Sequence, residues 1–314
     1  MSPRLLRCQL VPTTTLNCKL LASSSARSSS LARPLALSLA RSRATCSRPF
    51  TDSATRRAAQ PQHGKTVSKI AQSVQSHASK TTETYIAYGA TRSLFQACSQ
   101  QADYNIPQVL KGEEAPTLPT GEELGVGDGW WYDELKLPPT FSTWSQVTFL
   151  HMYLLIVRFR AMPSHDSFRI YAQHLFDHFS HDAESRMTIL HGMTMRGVRN
   201  QYLKDLFIQW RGVLAAYDEG LIAGDAVLGA AVWRNLWKAT QTDQLTGEEI
   251  DWVKVARIVA YMRRILTELS TTPEGEIVQR VMDPNRPLFG RKQVDLDLGR
   301  LWEEFGNSLR DIHL

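Results

Sequence analysis

Leu203-Lys-Asp-Leu206-Phe-Ile-Gln-Trp210-Arg-Gly-Val213-Leu-Ala-Ala-Tyr217 places its large apolar residues at intervals of three, four, three and four. That spacing follows the 3.6-residue turn of an α-helix and keeps one side of it apolar. Val255, Ile258, Met262, Ile265 and Leu269 repeat the same intervals, and Phe168, Tyr171, Leu175 and Phe179 follow a similar one. Polar–apolar alternation, the mark of a half-buried strand, is nearly absent. The fold class is therefore all-α, with a single helical domain of about six helices.

Punctuation around these stripes sets the expected element ends. Pro138-Pro139-Thr140 precedes a helix predicted over Phe141–Ala161, which Pro163 closes. Gly220 is expected to end the helix that carries Tyr217, and Gly224-Asp225 to make a further stop and a new N-cap. Thr246-Gly-Glu-Glu249 has the spacing of a capping box. A short helix near Val294–Leu309 closes the chain. Gly212 inside a helix points to a close neighbour, because Gly there costs about 1 kcal/mol against Ala. Asp218 and Glu219 fall at the predicted helix C-terminus, where the dipole disfavours acids. Arg234 or Arg186 is the expected compensating base.

The 314 residues carry a formal charge of +5, distributed unevenly. The first sixty hold ten Lys and Arg and one acid, Asp52; the remaining 254 hold 26 bases and 30 acids. The basic balance thus belongs to a leader, and the body is mildly acidic. Residues 1–51 lack acids and are rich in Ser, Ala, Leu and Arg, the composition of a mitochondrial transit peptide. The expected organisation is a transit peptide over 1–50, disordered as a leader, and a polar linker over 51–66. A helical arm over 67–102, a Pro/Gly-rich connector over 103–136 and the helical domain over 137–314 follow. Trp130, Trp131 and Tyr132 are expected to pin the connector to the body.

Of the four Cys, only Cys98 lies outside the leader, so the body has no pair for a disulfide and no Cys cluster for zinc or iron–sulfur chemistry. The most apolar run, Phe149–Val157, is interrupted by His151 and falls short of the ~20 residues a membrane span needs. Two sets of residues imitate metal sites. His174, His178 and His181 lie on one flank of a helix with Asp177 and Asp182. His151, His181-Asp182 and Asp251 resemble the ligands of an HD-type phosphohydrolase. Either would make the chain a metal-dependent hydrolase, the alternative function. The spacing of both sets is loose, and the preferred reading is non-enzymatic, with no catalytic residues, resident metal or cofactor. Gly125-Val-Gly-Asp-Gly129 lacks the flanking strand and helix of a nucleotide loop. Two clusters combine charge with large aromatics: Arg211, Tyr217, Asp218 and Glu219, and Trp233, Arg234 and Trp237. Trp, Tyr and Arg are the favoured anchors of interfaces, so these seven are the candidate partner or client contacts.

Several segments together resemble the mitochondrial ubiquinol–cytochrome c chaperone family, the complex III assembly factors that act on cytochrome b. They are Leu137-Pro-Pro-Thr-Phe-Ser-Thr-Trp144, Val157-Arg-Phe-Arg-Ala-Met-Pro163, Asp182-Ala-Glu-Ser-Arg-Met187, Tyr202-Leu-Lys-Asp205, Arg211 to Leu221 and Ala231 to Trp237. The resemblance covers about 137–269. It implies a chaperone that works with a small obligate partner protein at the mitochondrial ribosome near the tunnel exit. Such a chaperone promotes cytochrome b synthesis and holds the newly synthesised cytochrome b. It also implies the matrix side of the inner membrane, with peripheral membrane contact.

Overall fold

Helix α4, Phe141–Phe159, is apolar around most of its circumference and sits at the centre of the described protein. A helix that is hydrophobic on all sides must be enclosed, and α5 (His165–Ile189), α6 (Arg196–Ala223), α7 (Asp225–Leu236) and α8 (Trp252–Thr271) all pack against it. The computed structural model describes residues 82–289. The leader, the linker, residues 67–81 and the helix expected near Val294–Leu309 lie outside them. Among the described residues there is no named strand, so the all-helical expectation holds. The earlier elements are α1 (82–99), α2 (Pro107–Leu110) and α3 (Trp130–Asp133); α9 (Ile277–Met282) follows α8.

Side-chain caps start three of the long helices, α4, α5 and α8. The hydroxyl of Thr140 accepts from the Thr143 amide, that of Ser164 from Ser167, and the Asp251 carboxylate from Val253. These side chains satisfy donors that the first turn of a helix leaves open. Thr246–Glu249 is therefore not the cap of α8. It lies in a turn closed by an antiparallel bridge between Thr242 and Glu249, and α8 begins only after Asp251.

Gly220 does not end α6 either; the helix runs on to Ala223. A β-carbon at Gly220 would lie 2.6 Å from Leu228 Cα, so the residue serves close approach of α6 to α7. The stop is Gly224, at φ 111°, which joins the two helices alone and is the cap residue in place of Asp225. Gly212, by contrast, has nothing within 4 Å of an added β-carbon and marks no helix contact.

The N-terminal helix and the connector build onto the same core. Leu94, Phe95, Ala97 and Cys98 of α1 are buried. The Trp144 indole donates to Ser99 O at 3.2 Å, and the Tyr132 hydroxyl to Ala102 O at 2.6 Å. Trp130, Trp131 and Tyr132 are buried as expected, with Trp131 edge-on to His151 at 5.6 Å. At the other end of the chain, Leu288 and Phe289 are buried, and Phe289 lies edge-on to His151 at 4.8 Å.

His151 is the polar group at the centre of this core. Its Nδ1 faces Val147 O at 2.7 Å and its Nε2 faces the Tyr261 hydroxyl at 2.7 Å. A carbonyl can only accept, so Nδ1 carries the proton and Nε2 accepts from Tyr261. Burial pushes His151 down to about 4, and its hydrogen bond to Val147 opposes this only in part. Two outcomes follow. The neutral imidazole contributes stability that is full above about pH 6.5 and is lost as pH falls through about 4, roughly 3 kcal/mol in total. Denaturant melts across that window should show this loss, and His151→Gln should flatten it. Gly220→Ala should lower unfolding free energy by roughly 2 kcal/mol or more, because Leu228 backbone must move.

Candidate partner interface

The seven candidate residues divide by burial. Tyr217 and Trp237 are buried, Asp218 and Trp233 half-buried, and Arg211, Glu219 and Arg234 exposed. Tyr217 projects into the core, where its ring meets Tyr153 at 5.2 Å and 65°. Burial pushes its phenol up, and the Asn235 amide offsets part of that. Trp237 ends α7 and closes over the hydrophobic core. These two residues hold the fold and present no contact face.

Asp218 lies more than a turn inside α6, and its compensating base is neither Arg234 nor Arg186. Arg160, just past α4, grips it through two hydrogen bonds, Nη1 to Oδ1 at 2.6 Å and Nη2 to Oδ2 at 3.0 Å. The Tyr153 hydroxyl donates to the same carboxylate at 3.0 Å. A parallel two-bond fork is the strongest geometry available to Arg and a carboxylate. Beside it, Arg263 of α8 pairs with Asp225 at the start of α7 at 2.8 Å. One ion pair thus ties the end of α4 to α6, and the other ties the start of α7 to α8.

Arg186 serves a different junction. Its guanidinium lies 4.4 Å from the Trp144 ring centroid and pairs with Asp103 at 2.8 Å and Asp182 at 3.2 Å. Nearby, His191 donates from Nδ1 to the Glu123 carboxylate at 2.5 Å, and its Nε2 bonds the Tyr104 hydroxyl at 2.7 Å. These contacts fasten the connector to α5.

The histidine sets do not assemble. His174 meets Tyr88 edge-on at 5.6 Å and Asp177 at 3.7 Å. The His178 ring lies 4.6 Å from that of Tyr88, tilted by 52°, and donates from Nε2 to Tyr88 O at 3.2 Å; burial pushes its pKa down. His181 turns back to donate to Asp177 O at 2.7 Å. His151 has both ring nitrogens engaged in the core, Asp182 pairs with Arg186, and Asp251 caps α8. Among the described residues no group of three or more His, Cys, Asp and Glu is placed to hold a metal ion.

The exposed part of the candidate surface centres on Trp233 and Arg234. The Trp233 indole is fixed by a bond to Thr240 O at 2.8 Å, and its ring lies 5.6 Å from Trp252. Trp252, the first residue of α8, is 59% exposed. Sequence reasoning missed it, because a helix start assigned at Thr246 hides Trp252 inside the helix.

Residues 133–283 match the family model described as ubiquinol-cytochrome C chaperone. Protein CBP3, mitochondrial, of Saccharomyces cerevisiae is 37% identical over 169 residues, 54% of this chain and 46% of the yeast protein. Ubiquinol-cytochrome c reductase complex assembly factor 1 of Drosophila melanogaster is 28% identical over 149 residues, 47% of this chain and 54% of the fly protein. The chain thus spans about half the length of these two relatives. The crystal structure of the Cbp3 homolog from Brucella abortus aligns with a TM-score of 0.45 at 18% identity, covering 65% of this chain and 92% of that chain.

The Arg160–Asp218 fork gives a direct test of its framework role. Arg160→Asp and Asp218→Arg should each lower stability, and the double exchange should recover about 0.5–1 kcal/mol in a double-mutant cycle that weakens with salt.

Proposed function

We propose that this chain, whose residues 133–283 match the ubiquinol-cytochrome C chaperone family model, is an assembly factor for the cytochrome bc1 complex. It binds newly made cytochrome b and promotes its synthesis at the mitochondrial ribosome, near the tunnel exit, together with a small partner protein. It acts on the matrix side of the inner membrane, where it makes peripheral contact.

The family match carries the reading. It encloses the helical body and both junctions that join distant family-like segments: Trp144 with Arg186, and Arg160 with Asp218. The Arg-rich, acid-poor leader supports mitochondrial delivery. No helix among the described residues is long and apolar enough to cross a membrane. The role is non-catalytic. His174 and His178 contact Tyr88 of α1, His181 bonds Asp177 O of its own helix, and His151 bonds Tyr261 in the core.

The contact surface comprises the exposed members of the candidate set, Arg211, Glu219 and Arg234, together with the half-buried Trp233. Tyr217, Asp218 and Trp237 act indirectly, by holding α6 and α7 in place.

A deletion strain rescued by the full chain tests the reading. Loss of the protein should abolish assembled complex III and the cytochrome b absorbance, and reduce labelled cytochrome b in mitochondrial translation. Arg211→Glu combined with Arg234→Glu should lower recovery of cytochrome b in pull-downs while the thermal midpoint stays native. Normal complex III in the deletion strain would overturn the proposal.

A further inference from the structure

The turn between α7 and α8 combines three features that its neighbours lack. Trp252 is 59% exposed and its ring lies 5.6 Å from that of the half-buried Trp233, tilted by 51°, while Leu245 and Val253 also stand exposed. Residues 239–253 contain four acids, Asp243, Glu248, Glu249 and Asp251, and no base. Asp243 is buried and holds the turn by accepting from the amides of Leu245 and Thr246. Glu248, Glu249 and Asp251 are exposed and form no ion pair among the described residues.

The backbone that presents these groups is tightly defined. Lys238 and Ala239 are consecutive residues with positive φ, 55° and 57°, although neither is Gly. Side chains rarely adopt that region, so surrounding contacts must hold the pair there. Lys238 donates to Glu122 at 2.5 Å, Thr240 O receives the Trp233 indole, and the Thr242–Glu249 bridge closes the turn. The nearby bases are fewer than the acids. Arg234 is exposed on α7, Lys254 is half-buried, and Arg257 lies against Glu134 at 4.0 Å.

We propose that this turn docks a basic, apolar segment of a partner polypeptide, with Trp252 and Trp233 receiving its apolar and cationic side chains and Glu248, Glu249 and Asp251 pairing with its Lys and Arg. Aromatic faces attract Arg and Lys as well as apolar groups, and unpaired carboxylates beside them select for positive charge. Segments that flank membrane-spanning helices have this composition, with Lys and Arg beside apolar residues. The inference rests on the assembly-factor reading in naming a membrane protein as the source of the segment.

The test uses the full chain and a labelled synthetic peptide that interleaves Lys and Arg with Leu and Phe. Fluorescence anisotropy should show saturable binding that weakens as salt is raised. Trp252→Ala, and separately Glu248→Lys with Glu249→Lys, should each weaken it by about tenfold or more. Circular dichroism and the thermal midpoint should remain native in both. A photo-crosslinking residue in place of Leu245 should label the peptide. Equal binding of a peptide with Glu in place of Lys and Arg would overturn the proposal. So would unchanged affinity in both folded variants, or crosslinks formed only to residues 1–60 of the same chain or to a second copy. Complex III lost in the deletion strain, with peptide binding indifferent to Trp252, overturns the docking site and leaves the assembly role standing. Peptide binding that needs Trp252, with normal complex III in the deletion strain, supports the docking site and removes its place in assembly.

Discussion

The enclosure of α4 is the constraint on which the rest of the protein depends. A helix enclosed on most sides satisfies its backbone internally, and a polar side chain buried on it is costly unless it finds a partner. Gln146 reaches Gln209 of α6 at 2.9 Å, and His151 reaches Tyr261 of α8 at 2.7 Å. These bonds fix where α6 and α8 lie along α4, which apolar packing alone would leave free to slide. The surrounding helices then need only one apolar stripe each. That is what α6 and α8 have, with their outer faces left polar or available for contact.

The stripes on α6 and α8 were legible because they repeat at helical spacing over four turns, and local sequence is enough to read that. Gly220 was not, because Gly reads the same in sequence whether it stops a helix or admits a neighbour. Only Leu228, in the next helix, decides between the two. Asp218 was correctly seen to need a base, yet Arg160 lies 58 residues away, brought in by packing of α4 on α6. The candidate surface shows the same limit. Tyr217 and Trp237 read like Trp233 as interface aromatics, but they face inward. Trp252 was passed over because the misplaced helix start removed it from the loop.

Two kinds of charge have separate work in this protein. Arg160, Arg186 and Arg263 are engaged with Asp218, Asp103, Asp182 and Asp225, and hold helix ends and the connector in register. Glu248 and Glu249 are exposed and form no ion pair among the described residues, while Asp251 caps α8. A scaffold whose internal charges are matched can keep others unmatched at little cost to its own stability, since exposed charges remain hydrated. This separation lets a surface change its preference for partners without loosening the helices beneath it.

The burial of Leu288 and Phe289 against the centre of α4 bears on how the chain comes to be folded. During synthesis, or during threading through a narrow pore from the N-terminus, α1 and α4 arrive long before the residues that complete their core. His151 and Tyr261 have no Phe289 beside them until nearly all the described chain has emerged. Contacts of such long sequence separation carry a loop-closure cost and form late. A chain that stops short of Phe289 lacks the ring that covers His151 in the folded core.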